Sequence, residues 1–355
     1  EMCIIDRSWS ARDFTALLSL FGCLIAVMFP LDLLGGFLLP NRWRPNTIAV
    51  GKFLGSWGRG VLVQGAVFVG ASLSILFMGR WFGLLGAAGA VAGIAILLVG
   101  GQLQIAKFVG ALSALFGNFQ DDHSPNQRDP SASNANQSND QAVLDQALTL
   151  VSKWGWKPSP ITVLKHGDIG FTGGVVGLPG SETVVLPAES LNNLRPEQLA
   201  IVIARRLEAI RSGSRTRGLL LALVWVIVGF VLSAMLPGAG VTTVGQLAMT
   251  CLGFTLWTFF GLLTLPTLSR QASYAIDGKV LNTGVSSETF ADTLKTLDTL
   301  QDDEPERSTL IETIFHPVPS VNNRRTIPSK QSPIAWHAAR MTLFVSWACM
   351  GMLVR

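Results

Sequence analysis

The chain has 355 residues, 49% of them hydrophobic and 14% charged, with a formal net charge of +4. Soluble domains carry roughly 25% charged residues, so this composition excludes an ordinary soluble globular protein, and the modest charge gives no basis for nucleic-acid binding. Cys23, Cys251 and Cys349 lie inside apolar stretches and Cys3 stands alone, which leaves neither a disulfide framework nor a CxxC zinc pattern.

Apolar blocks of about eighteen residues or more recur along the chain, long enough for helices across a ~30 Å hydrocarbon core. The first, 14–31, follows Asp6, Arg7, Arg12 and Asp13 without a small-residue cleavage site and reads as a retained span rather than a signal peptide. Blocks 61–78 and 82–101 are separated by Gly79, Arg80 and Trp81, which predicts an antiparallel hairpin. Ala66 and Gly70, Gly86 and Ala90, and Gly89 and Gly93 recur at helical spacing and would let backbones approach closely. These three spans define an N-terminal membrane region over 1–116. Residues 117–142, rich in Asn, Ser, Gln and Asp, bury too little to fold and read as a disordered linker.

Residues 143–154 have helical periodicity, 161–164 and 184–186 have strand character, and 167–180 is punctuated by glycine like a hairpin. Pro196 and Glu197 open a helix on which Leu199, Ile203, Leu207 and Ile210 recur, ending at Ser212-Gly213. A second membrane hairpin follows, 218–236 and 243–265, turned at Pro237-Gly238-Ala239-Gly240. A last apolar segment within 334–355 spans if His337 and Arg340 snorkel. The acidic run Asp302, Asp303, Glu304 and Glu306 reads as a solvated loop. The fold class predicted is therefore a mainly α, polytopic membrane protein of about six transmembrane helices plus a small α/β domain. That domain covers 143–333 and is interrupted by the second hairpin. Arg42, Arg44, Lys52 and Arg59 lie between the first two spans, whereas the turn on the opposite side holds only Arg80. By the positive-inside rule, 102–217 and 266–333 face the cytoplasm. Inside the spans the polar residues are Gln64, Gln246 and a few Ser and Thr, which argues against an ion path.

The stretch LPAESLNNLRPEQLAIVIARRLEAIRSGSRTRG, 186–218, followed by a membrane hairpin, resembles the HtpX-like and CAAX prenyl endopeptidase-type integral-membrane zinc metallopeptidases, which are gluzincins. The resemblance covers roughly 140–330. In that family a helix with A-H-E-x-x-H precedes a membrane hairpin, a helix with E-x-x-x-D, and an H-P-P motif with a following Arg. Ala204-Arg205-Arg206-Leu207-Glu208-Ala209 stands at the first motif and Ser273 to Asp277 at the second, while His316-Pro317-Val318-Pro319 and Arg324 stand at the third.

The resemblance implies zinc as the family's cofactor, yet the residues that hold it are replaced. Two imidazoles at i and i+4 bind Zn²⁺ while the intervening Glu activates water. Here those positions are Arg205, Ala209 and Arg206, and the third ligand position is Ser273. A guanidinium offers no lone pair and Ala no ligand atom, so no cofactor is expected. Asp277 remains from the pattern, and a salt bridge between it and Arg205 or Arg206 is expected in place of the ion.

Arg205 and Arg206 read either as a structural replacement for the lost cation or as an anion site. Glu208, flanked by Arg205 and Arg211, reads as an ordinary helix-surface pair. His316 and Arg324 are the residual catalytic candidates of the pattern; His316 reads as a loop residue or as one that approaches the former active cleft, His166 reads as a loop residue, and a metal site assembled from His166, Glu208 and His316 is the weaker alternative. The function implied is a non-catalytic pseudopeptidase of a bacterial cytoplasmic membrane, serving as a binding, regulatory or complex subunit. Its partners would be the bilayer and other membrane proteins or peptides, and the glycine-rich edge 171–178 could add a peptide strand. The alternative is an active membrane zinc metalloendopeptidase with unusual ligands.

Overall fold

In a computed structural model the described residues are 11–43, 49–105, 107, 130–157, 159–164, 172–300, 321 and 324. Helix dominates, and among the described residues four helices are long and apolar enough to cross a membrane; the chain is a multi-pass membrane protein. It divides into two compact units, one of Glu1–Ala95, Ala222–Thr264 and Ile334–Arg355, the other of Ile96–Leu221 and Leu265–Pro333.

In the first unit α1 (Ala11–Leu33) carries Pro30 inside it and passes into a π-helical turn, Leu34–Leu38, before α2 (Leu39–Trp43). The helix thus continues past the expected end at residue 31 and takes Asp32 into the candidate span Ala11–Leu38. This carboxylate, which lies beyond the span expected from the sequence, accepts a hydrogen bond from Trp57 Nε1 at 3.0 Å. It borders a cavity of about 540 Å³ shared with Gly35, Gly36, Phe53, Trp57 and Gln64.

The next helix, α3 (Val50–Gly100), contains both spans of the first expected hairpin. Its one non-helical residue is Gly83, with φ 65° and ψ −155°, a conformation essentially reserved for glycine. The chain folds back there: a Cβ on Gly86 would stand 2.6 Å from the Met78 carbonyl oxygen, whereas eight residues of straight helix span ~12 Å. The reversal therefore falls at Gly83 rather than at 79–81, and the first arm begins at Val50, before the expected residue 61. Gly70, Gly89 and Gly93 face open space, contrary to the packing role predicted for them. The close approaches occur elsewhere, with Phe21 on Gly65, Val241 on Gly79 and the Trp257 ring on Gly229. Trp257 also stacks on Trp225 at 4.4 Å and donates through Nε1 to the Trp225 carbonyl. One end of this unit is tied together by Arg80, which makes a bidentate pair with Asp13 at 2.8 Å and donates through Nε to Thr242 O.

In the second unit α4 (Pro130–Lys153) starts thirteen residues before the helix expected from 143, inside the stretch expected as a disordered linker. Pro130 supplies a fixed φ at the first helical position, and neither Gly nor Pro follows until Gly155. Three short strands come next, β1 (Ile161–Leu164), β2 (Gly174–Val176) and β3 (Thr183–Pro187). They form one sheet in the order β1-β3-β2, with β1 parallel and β2 antiparallel to β3. The helices α5 (Ala188–Asn193) and α6 (Pro196–Arg211) follow directly. Residues 198–204 of α6 are all buried, so it is the hub of this core rather than an amphipathic cover. Packed with it are Leu144 and Val151 of α4, Val184 and Leu186 of β3, and Phe290 and Leu294 of α9 (Ser287–Leu300), a helix not among the elements expected above although Phe290, Ala291, Leu294 and Leu297 recur at helical spacing behind Ser286.

Between α6 and α9 run α7 (Ser214–Ala234) and α8 (Val244–Leu281). The segment carrying Ser273 and Asp277 is thus the distal part of the helix that begins the second arm of the hairpin, not a separate element. His166, His316, the acidic run 302–306 and the last apolar segment, 334–355, lie outside the described residues.

Candidate functional site

Burial of Leu199, Ile203 and Leu207 sets the rotation of α6 and so decides where its charged residues point. Arg205 is directed at α8, where its Nε donates to Asp277 Oδ1 at 2.8 Å. This is the ion pair expected from the motif spacing. A second cation shares the carboxylate: Arg324 Nε donates to Oδ2 at 2.7 Å and Nη2 to Oδ1 at 3.1 Å. Asp277 is fully buried and Arg324 is 3% exposed, while Arg205 keeps 22% of its side chain open. That Arg324 would close on Asp277 could not be read from its place after the His-Pro motif.

Burial alone would push the Asp277 carboxyl upward. The fields of Arg205 and Arg324 and their hydrogen bonds outweigh that cost and hold it below the ordinary carboxylate range. Arg205 is pulled below its ordinary value, first by burial and then by Arg324, with Asp277 opposing.

Arg206, one residue on, turns about 100° around the helix and reaches the sheet. Its Nη1 donates to Val185 O at 3.1 Å and its Nη2 to Thr172 O. It has no carboxylate partner among the described residues, and burial, then Arg205, draw its pKa down to about 9. Ala209 lies one turn beyond both arginines and is half-buried; Ser273, half-buried, precedes Asp277 by one turn of α8.

Glu208 is not the surface residue predicted. It is 3% exposed, pairs with Lys279 Nζ at 2.8 Å, and accepts from Trp156 Nε1 at 3.1 Å. Burial opposes its ionisation, but Lys279 and Trp156 hold its carboxyl below the ordinary range. Its side chain ties α6 to α8 and to the end of α4. No three His, Cys, Asp or Glu side chains come together as a metal-holding group among the described residues.

The edge strand β2 carries a further contact that the sequence did not signal. Arg215, in the first turn of α7, donates through Nε to Val175 O at 3.3 Å and through Nη2 to Gly177 O at 2.6 Å. One carbonyl of the strand and that of Gly177, the residue after it, are thereby capped by a side chain.

No family model matches the chain, and no curated protein matches it either. Among solved structures it is similar to the crystal structure of S. mikatae Ste24p, with a TM-score of 0.61 at 14% identity, over 92% of this chain and 77% of that one. The chain shares the fold of Ste24p.

Proposed function

We propose that this chain is a membrane pseudopeptidase: a protein that keeps the fold of the membrane zinc metallopeptidases without their metal chemistry, and acts as a binding, regulatory or complex subunit. The observation that carries this reading is the closure of Asp277 by Arg205 and Arg324. The donor set does not fit a zinc ion. Arg205 and Arg206 stand where imidazole and the water-activating carboxylate would be, and both offer only N–H donors. Ala209 and Ser273 complete the replaced positions, and the one retained carboxylate is already saturated by two guanidinium groups. A cation placed beside three arginines would be repelled rather than held.

The second reading, an active zinc metalloendopeptidase with unusual ligands, would draw on His166, His316 and Glu208. Against it, Glu208 is already engaged with Lys279 and Trp156. We place the second unit on the cytoplasmic side of a bacterial membrane, from the basic residues around 42–59. The partner is another membrane protein or peptide. If it pairs as a strand along 171–178, it must displace Arg215 from the carbonyls of Val175 and Gly177. Co-purification from native membranes with mass spectrometry tests the reading. A defined membrane-protein partner retained through two affinity steps supports it, and a purified chain that cleaves peptides by itself overturns it.

A further inference from the structure

A carboxylate inside a membrane span is costly to place there, so its surroundings call for a functional explanation. Asp32 is such a group. It lies within the candidate span Ala11–Leu38, short of Leu38 by a helical rise of about 9 Å. Its Oδ2 accepts from Trp57 Nε1 at 3.0 Å, and its Oδ1 has no partner among the described residues. The Trp57 ring is itself set edge-on against Phe29 at 4.8 Å. The carboxylate is thus anchored on one side, and it also lines the cavity of about 540 Å³ in the first unit.

That cavity lies between α3 and the end of α1 with its π-helical turn. Phe53, Trp57, Gly60 and Gln64 recur at helical spacing on the α3 wall, opposite Asp32 and Gly35. A Cβ on Gly36 would stand 2.9 Å from the Phe53 ring, so the two walls touch there. A Cβ on Gly35 or Gly60 would meet nothing within 4 Å, so at those two positions the walls stay apart. The volume falls within the roughly 300–1,000 Å³ of small-ligand pockets, and apolar walls with a few polar groups are the lining such pockets use.

Asp32 is the one charged residue among the described residues that line the space, so the ligand it selects is a cation. One carboxylate and the Gln64 amide are too few oxygens for Ca²⁺, which takes roughly six to eight. An alkylammonium group asks for less. It pairs with Asp32, donates to the Gln64 amide oxygen, is attracted by the aromatic rings of Phe53 and Trp57, and leaves its stem to the apolar walls. We infer that this cavity is a binding site for an alkylammonium group, carried either by an aminophospholipid headgroup or by a free lipophilic amine. The inference is independent of the pseudopeptidase reading, which concerns the second unit.

The test uses the full chain purified in a maltoside detergent, which carries no ammonium group. Phenylethylamine, its neutral counterpart phenylethanol, and short-chain phosphatidylethanolamine and phosphatidylglycerol are each titrated. The readouts are the thermal midpoint and, by mass spectrometry, modification of Asp32 by a hydrophobic carbodiimide. The amine or phosphatidylethanolamine should raise the midpoint saturably and protect Asp32, and phenylethanol and phosphatidylglycerol should do neither. Asp32→Asn, which keeps an acceptor for Trp57, and Gly60→Leu, which fills the space, should each weaken binding by about tenfold or more. Asp32→Asn should not lower the midpoint measured without ligand. Binding of phosphatidylethanolamine without the free amine assigns the group to a lipid headgroup, and the reverse assigns it to a small amine. Absence of any saturable response, or wild-type affinity in either variant, overturns the inference. So does an Asp32→Asn protein markedly less stable without ligand, which would show the carboxylate already neutralised by a cation of the chain itself.

Discussion

Arg324 and Arg205 meet on a single carboxylate: the first takes both oxygens of Asp277, the second takes Oδ1 alone. The two bonds from Arg324 come from a guanidinium 3% exposed, whereas Arg205 is 22% exposed. Breaking a buried pair by removing one partner costs about 3–5 kcal/mol, because the other charge is left uncompensated. Arg324→Leu should therefore cost that much. Arg205→Leu should cost less, since Asp277 keeps its buried partner. Chemical denaturation in detergent ranks the two, and an Arg205 variant weaker than the Arg324 variant would mean that Arg205 is the principal partner.

The same carboxylate sets an acid limit. Asp277 and Glu208 are both held below their ordinary values by their partners. A depressed folded-state value contributes stability above the unfolded value, lost as protons return through the folded one. The denaturation midpoint should be flat near neutrality and fall as pH drops below about 4. A Glu208→Gln variant should start less stable and lose less over that interval. An identical acid slope in that variant would assign the transition to other groups.

Trp156 supplies a hydrogen bond to a buried carboxylate, Glu208, across 3.1 Å. Bonds to charged groups are worth about 1.5–3 kcal/mol, so Trp156→Phe should cost at least that while keeping the ring's packing. Tryptophan fluorescence during unfolding would suit the comparison poorly, and circular dichroism serves instead. A near-neutral Trp156→Phe would show that Lys279 alone compensates Glu208.

The motif order makes the Arg205–Asp277 pair legible before any coordinates, because the helix of the first motif and the helix of the second must face each other for the pattern to close. The strands expected at 161–164 and 184–186, the second observed as Thr183–Pro187, and the helix of Pro196–Arg211 are equally plain from residue pattern and the proline at the helix start. Three features are not. Arg324 comes from a segment far along the chain, and no local spacing signals which carboxylate it meets. Glu208 reads as solvent-facing because Arg205 and Arg211 flank it in sequence, but α6 is buried on nearly every side. Asp32 falls just past the apolar block that ends at residue 31, yet the helix continues through it into a π-helical turn.

Asp13, Arg80 and Thr242 come together at one end of the first unit, so the start of α1 and the two tight turns share one side. With the basic segment around 42–59 on the other, that side should be external. Single cysteines at Trp81 and Gly238, in a background without the native ones, should react with an impermeant maleimide in intact cells, and one at Asn136 should not. Labelling at Asn136 alone would invert the topology.

Metal content measures the central claim most directly. The full chain, purified without chelator and analysed for bound metal alongside a peptidase assay, should contain far less than one zinc per molecule and cleave nothing, because Arg205, Arg206, Ala209 and Ser273 replace the groups that would bind the ion and activate water. One zinc per chain, removed by a chelator together with proteolysis and restored with it, would contradict the pseudopeptidase assignment.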